Sequence, residues 1–120
     1  MELENQRGTG QSGAMVDARR HPRYRLQVGI CVYPHGAEVI RGETVDISQS
    51  GISAMLRVEV PVGEVVRLRF TVPGGEVEVH ALVRQRSAFR YGFQFLESST
   101  AQDLIGRTCR ELALAQASAK

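Results

Sequence analysis

An arginine cluster near the N-terminus is the part of this sequence best suited to chemistry. It places four arginines within seven residues, with no acidic residue among them: Arg19, Arg20, Arg23 and Arg25. A guanidinium forms paired hydrogen bonds to phosphate or to the O6/N7 edge of guanine, and it can stack on the base. Pro22 disfavours helix at the preceding residue and stiffens the segment, which lowers the entropy lost on binding. The cluster predicts a guanine-nucleotide site; the alternative is a solvated basic stretch.

A second polar group, Asp46-Ile47-Ser48-Gln49-Ser50-Gly51, lies where one predicted strand ends and the next begins. Asp46 and Ser48 share one side of the chain if it stays extended, and Gly51 permits a left-handed or close-approach backbone. The carboxylate could accept hydrogen bonds from the N1–H and amine of guanine, and the hydroxyl could serve the base or a phosphate. The alternative is that Asp and Ser form turn hydrogen bonds to their own backbone.

The segments that position these groups have the pattern of short strands. Apolar residues alternate from Leu26 to Val32, as expected for a half-buried strand. Further strand-like runs, separated by Gly or Pro signals, cover 38–47, 52–56, 65–72, 77–84 and 91–96. Such a series predicts a closed or nearly closed antiparallel barrel, with Val66, Leu68 and Phe70 facing inward.

A C-terminal helix is predicted over about 99–115. Ser99 and Gln102 resemble a capping box, and the apolar residues that follow recur at helical spacing: Leu104, Ile105, Cys109 and Leu112. Gly106 costs the helix about 1 kcal/mol relative to alanine. We expect the helix to pack on the barrel or to close one end of it.

Length and composition indicate one domain. The chain has 120 residues, 42% of them apolar, and a formal charge of only +2, so any basic function must be local. We predict a flexible tail at 1–17, one domain at 18–115 with its barrel at about 26–97, and a short tail at 116–120. The sequence has no apolar run long enough for membrane insertion and no signal core, which favours the cytoplasm. Two separated cysteines, Cys31 and Cys109, favour packed thiols, with a disulfide left open.

Taken together, Arg19-x-x-x-Arg23 and Asp46-x-Ser48-x-x-Gly51, followed by Tyr91-Gly92-Phe93-Gln94-Phe95, resemble the PilZ domain family over roughly residues 18–112. The resemblance implies an all-β fold, a six-stranded antiparallel β-barrel with a C-terminal α-helix. It also implies that the domain binds cyclic di-GMP, the bacterial second messenger, with the arginine segment wrapping over the ligand. No cofactor is implied.

The resemblance also assigns roles to the motif residues. Arg19 and Arg23 would contact guanine and phosphate, while Asp46, Ser48 and Gly51 would line the base pocket. Arg20, the extra guanidinium inside the motif, is expected to contact the ligand as well. We call the segment that carries these arginines the arm. We expect the arm to be mobile in the absence of ligand and to close over the ligand when it binds. Closure would change the surface that an unidentified effector protein meets. The stoichiometry of one or two ligand molecules stays open.

Three other classes of protein fit the sequence less well. An enzyme is disfavoured because the sequence has no Gly-x-Ser-x-Gly elbow, no His-Glu-x-x-His pair and no Gly-rich phosphate loop, and its three histidines are far apart. A nucleic-acid binder would need aromatic platforms along a groove, whereas several of the few aromatic residues must fill the core. The runner-up is a PilZ-like interaction module that binds protein without nucleotide.

Overall fold

The computed structural model describes residues 21–96 and 99–118. The predicted tail at 1–17, together with Arg19 and Arg20, lies outside these residues. Seven strands precede one helix in the described part of the chain. In order they are β1 (Tyr24–Arg25), β2 (Gly29–Tyr33), β3 (Ile40–Ile47), β4 (Gly51–Met55), β5 (Val65–Val72), β6 (Gly75–Ser87), β7 (Arg90–Phe95) and α1 (Ser99–Ser118).

Six of the strands form a closed antiparallel ring. The order around it is β3, β2, β5, β6, β7 and β4, and the pairing of β4 with β3 closes the barrel. Closure leaves no free edge on these six strands. The two-residue β1 lies outside the ring and pairs with the last residues of β3. The fold class predicted from the sequence, a six-stranded barrel with a C-terminal helix, is therefore confirmed.

Alternating apolar side chains fill the barrel. On β5, Val66, Leu68 and Phe70 are at most 2% exposed, as predicted, while the residues between them face outward. This period of two is what a strand with one buried face requires. The turn residues Pro73 and Gly74 join β5 directly to β6, and the long hairpin carries much of the core.

The first predicted strand, Leu26 to Val32, is a regular strand only from Gly29 onward. Leu26 to Val28 run beside β3 but outside a regular strand, and Thr44, only 2% exposed, holds them. Its hydroxyl donates to the Leu26 carbonyl oxygen and accepts the Val28 N–H at 2.9 Å, and its own N–H donates to the Val28 carbonyl at 2.8 Å. A buried hydroxyl needs such partners. Thr44 thereby fixes the segment that leads out of β1.

Helix α1 covers one end of the barrel and continues without interruption through Gly106 to Ser118, beyond the predicted end near residue 115. Ile105, on its inner face, is fully buried. A Cβ at Gly106 would lie 3.2 Å from Gln49 Nε2, and one at Gly74 would lie 3.0 Å from Leu104 Cδ1. The two glycines let the helix approach the β3–β4 and β5–β6 turns closely, a packing gain that offsets the low helix propensity of Gly106.

The two cysteines are both free thiols, and they should differ in reactivity. Cys31 is half-buried on β2, whereas Cys109 is buried on the inner face of α1. Burial raises the pKa of the Cys109 thiol, and the nearby Arg110 lowers it by less. Because the thiolate is the nucleophile, we expect a maleimide to label Cys31 of the native protein at least about tenfold faster than Cys109. Peptide mass spectrometry would measure this; equal rates would contradict the packing of α1 against the barrel.

Candidate ligand-binding site

One carboxylate, that of Asp46 near the end of β3, holds together groups from three other elements. Its Oδ1 accepts hydrogen bonds from Arg23 Nη1 at 2.6 Å and from Ser53 Oγ at 2.6 Å. Its Oδ2 accepts from Arg90 Nη2 at 2.8 Å. The Arg90 group also lies 3.4 Å from Ser53 Oγ. Charge-assisted contacts of this length orient both guanidiniums toward one place.

Strand pairing explains how Arg23 reaches Asp46. Arg23 directly precedes β1, which pairs with β3 so that Tyr24 lies opposite Ile47 and Arg25 opposite Asp46. On the other side of β3, an irregularity between Thr44 and Asp46 shifts the register, and Asp46 lies opposite Ser53 of β4. Such a bulge re-aims side chains locally. The arm and the hairpin therefore meet at the carboxylate.

A cavity of about 270 Å³ opens beside these groups. It is lined by Arg23, Ser53, Gln85, Arg86, Ser87, Arg90 and Gly92. This lining offers three guanidiniums, an amide and two hydroxyls. No lining residue is acidic, although the Asp46 carboxylate bonds Arg23 and Arg90 and the Glu59 carboxylate bonds Arg86. Such a set of donors suits an anion. The volume lies just below the roughly 300 to 1,000 Å³ of pockets for drug-sized ligands, so a dinucleotide would extend over the rim.

Ser48 is placed differently from Asp46. It is 1% exposed, and its Oγ accepts the N–H groups of Ser50 at 3.2 Å and Gly51 at 3.1 Å. Its own N–H donates to the Gly51 carbonyl oxygen at 2.8 Å. The Ser48 hydroxyl is thus engaged in the turn, the alternative that sequence reasoning left open for it. It fixes the backbone that carries Asp46 and Ile47.

Gly51 is required for close approach rather than for a left-handed backbone. A Cβ at this position would lie 2.3 Å from the carbonyl oxygen of Phe93 on β7. The described glycines with positive φ are elsewhere, at Gly36, Gly63 and Gly75. The last position of the motif therefore permits β4 to pair with β7 and close the barrel behind the site.

The structure thus brings Arg23 and Asp46 together, and it adds Ser53 and Arg90, which sequence reasoning missed. Ser53 could have been found by counting outward from the turn in a hairpin, since it faces Asp46 across β3 and β4. Arg90 carried no such signal, because its approach depends on closure of the barrel through β7. Arg86 also lines the cavity, whereas Arg84 donates to Gln94 Oε1 at 2.6 Å and does not line it.

The C-terminal turn of α1 contacts the arm beside the site. Gln116 Nε2 donates to the Arg25 carbonyl oxygen at 2.8 Å, and Gln116 Oε1 accepts the Arg25 N–H at 3.2 Å. Because Arg25 pairs with Asp46, this side chain helps to hold β1 in place. We expect Gln116→Ala to loosen the arm and so to weaken binding of the guanine nucleotide expected from the sequence about threefold to tenfold. This corresponds to about 1 kcal/mol. Titration calorimetry would measure it; Gln102→Ala on the same helix is the control.

Other site types find little in the structure. Within residues 21–96 and 99–118, no three His, Cys, Asp or Glu side chains are grouped so that they could hold a metal ion. In the same ranges, no helix combines the length and apolar character needed to cross a membrane.

Comparison with known proteins decides the family. The family model of the PilZ domain matches residues 17–111, which include both motifs and the whole barrel. The chain belongs to the PilZ domain family. PilZ domains are receptor or adaptor modules. A search of curated proteins finds no match to this PilZ domain.

Solved structures share the fold of this PilZ domain at low sequence identity. The PilZ domain of YcgR from Escherichia coli was solved with c-di-GMP and is 17% identical to this chain, with a TM-score of 0.67. The match covers 82% of this chain and 93% of the YcgR domain. The K. pneumoniae MrkH–c-di-GMP complex has 20% identity and a TM-score of 0.72, covering 85% of this chain and 54% of its own. The Bacillus subtilis inhibitor of motility MotI is 22% identical to this chain, with a TM-score of 0.71. The match covers 81% of this chain and 52% of MotI. This chain spans about half of the last two proteins.

Proposed function

We propose that this PilZ domain binds cyclic di-GMP and acts, without enzymatic activity, as a receptor that signals to a partner protein. The observation that carries the proposal is the grouping of Arg23 and Arg90 on the Asp46 carboxylate beside a cavity lined by three guanidiniums. Both sequence motifs of the family are complete. The c-di-GMP present in the YcgR and MrkH structures supports the choice of ligand.

In this proposal the residues take different parts. Arg19, Arg20 and Arg23 contact guanine and phosphate from the N-terminal side, and Asp46 accepts the N1–H and amine of one guanine. Ser48 and Gly51 shape the turn that presents Asp46, and Gly51 lets β4 approach β7 closely behind the site. Arg90 and Ser53, already bonded to the carboxylate, form the opposite wall.

Binding would proceed as an exchange of partners. In the described structure Asp46, 18% exposed, is occupied by Arg23 and Arg90, which are 44% and 50% exposed. A guanine edge can replace these guanidiniums on the carboxylate, and the released guanidiniums can then take the phosphates. Exposed ion pairs are worth only about 0 to 1 kcal/mol, so breaking them costs little. The carboxylate and the arginines thus recognise base and phosphate together.

A second candidate, an interaction module that binds protein without nucleotide, is favoured by one feature of the site. The Asp46 carboxylate already has three hydrogen-bond partners in the described structure, so the arm and the barrel form a satisfied arrangement by themselves. Such an arrangement needs no ligand to complete the hydrogen bonds of the carboxylate. The two candidates differ in whether the nucleotide binds at all.

Isothermal titration with cyclic di-GMP at moderate salt separates these candidates, with GTP and cyclic di-AMP as controls. Saturable heat that is selective for the guanine dinucleotide would support the receptor and give the stoichiometry directly. Absence of heat at high protein concentration, checked by equilibrium dialysis, would refute the receptor and leave the interaction module.

A further inference from the structure

An apolar groove lies at the end of the barrel away from α1, between the β2–β3 loop and the β4–β5 loop. Its volume is about 290 Å³, and its apolar lining includes Val39, Val58, Val60 and Pro61. Val58 is 54% exposed and Val39 is 38% exposed. Single exposed valines are common on protein surfaces, but here they line one continuous depression.

The charges along the groove are of one sign. Three glutamates, Glu38, Glu59 and Glu64, line it, and none of its lining residues is a lysine or an arginine. The chain as a whole is slightly basic, at +2. The groove would therefore repel nucleic acid and anionic membrane surfaces, and it complements an apolar segment that carries positive charge.

A set of contacts ties the groove to the candidate ligand site. Arg86 lines the ligand cavity, and its Nη1 bonds Glu59 Oε2 of the groove at 2.7 Å. In the same loop, the Val60 N–H donates to Tyr91 Oη at 3.1 Å and the Leu56 N–H donates to the Phe89 carbonyl oxygen at 2.9 Å. One wall of the groove is thus anchored on the β6–β7 turn that also carries the ligand cavity.

We propose that this groove docks a segment of a partner protein that presents apolar side chains flanked by lysine or arginine, and that cyclic di-GMP tightens the docking through Arg86 and Glu59. A phosphate at the cavity competes with Glu59 for Arg86. Glu59 then loses its neutralising partner, and the groove becomes more negative toward a cationic segment. The coupling, though not the groove itself, rests on the function proposed above.

The groove is tested first without nucleotide. The probe is a short fluorescent peptide of alternating leucine and lysine, followed by anisotropy, with a leucine–glutamate peptide as the charge control. We expect the leucine–lysine peptide to bind saturably and the leucine–glutamate peptide not to bind. Val58→Ser or Glu38→Lys should each weaken the affinity for the leucine–lysine peptide about tenfold. The matched control variants are Leu114→Ser and Glu111→Lys, on the exposed face of α1. Absence of saturable binding, or equal losses in the control variants, would overturn the docking site.

The coupling is tested by repeating the titration with saturating cyclic di-GMP. We expect peptide affinity to rise several-fold in the native protein and not in Glu59→Gln, which lacks the charge to be released. Nucleotide binding with unchanged peptide affinity would overturn the coupling. Failure of cyclic di-GMP to bind in the calorimeter would instead refute the proposed function and the coupling together, while the nucleotide-free titration would still decide the groove.

Discussion

Replacing Asp46 by alanine is expected to weaken the binding of cyclic di-GMP about 10-fold to 150-fold, which corresponds to about 1.5 to 3 kcal/mol. The variant removes the acceptor proposed for guanine and also releases the two guanidiniums that the carboxylate orients, Arg23 and Arg90. Fold stability should fall by about 1 to 2 kcal/mol, because the two arginine partners are about half exposed but the buried Ser53 hydroxyl loses its acceptor. Calorimetric titration and urea unfolding would measure the two effects separately.

The matched control is Glu76→Ala. Glu76 Oε2 lies 2.8 Å from Arg69 Nε on the outer face of β5 and β6, so this variant also removes a surface carboxylate from an arginine. It should leave nucleotide affinity unchanged. Arg23→Ala should weaken binding by a similar amount to Asp46→Ala, and the double variant should lose less than the sum of the two because the residues are in contact. Normal affinity in Asp46→Ala would remove this carboxylate from the site, and a large loss of stability would make its role structural.

Replacing Gly51 by alanine is expected to destabilise the fold by about 2 to 3 kcal/mol and to weaken nucleotide binding with it. The added Cβ would meet the Phe93 carbonyl oxygen at 2.3 Å, well inside contact distance. That atom is backbone held in the β4–β7 pairing, in which Gly51 lies opposite Gln94, so it cannot rotate away. The strands must separate, and the start of β4 must move with them.

Gly29→Ala is the control for this substitution. A Cβ at Gly29 meets nothing within 4 Å, and this glycine is also in a strand. We expect its stability to stay the same or to rise by about 0.4 to 1 kcal/mol, since alanine restricts the unfolded chain. Urea unfolding of both variants would provide the comparison. Equal midpoints for the two variants would contradict the tight packing of β4 against β7.

Local patterns in the sequence were sufficient to predict the elements of the fold. The alternation on β5 and the turn at Pro73 and Gly74 depend on neighbours in the chain, so they can be read directly. The break between Leu26 and Gly29 could not, because the apolar alternation continues through it and the competing hydrogen bonds come from Thr44, a residue of another strand. Tertiary contacts overrode the local strand pattern there.

The site was predictable only as far as its parts are local. Asp46 and Arg23 were found because each lies in a compact motif, and their contact follows from a single strand pairing. Arg90 was missed because it lies on β7, 44 positions away from Asp46 in the sequence. Only closure of the barrel brings the two residues together. Sequence left open whether the Ser48 hydroxyl serves a ligand or its own turn, and the structure places it in hydrogen bonds of the turn. Arg19 and Arg20 lie outside the described residues, and the ligand roles of all six motif residues stay predictions.

The contact between Gln116 and Arg25 has a practical consequence for how the domain can be joined to other proteins. It brings the last turn of α1 beside β1, so the first and last described elements of the domain meet at one edge of the barrel. A fluorescent donor fused ahead of the arm and an acceptor fused after the helix would both be tethered at this edge. Any rearrangement of the arm would change the separation or orientation of the two tethers, which makes the domain a scaffold for a ratiometric sensor.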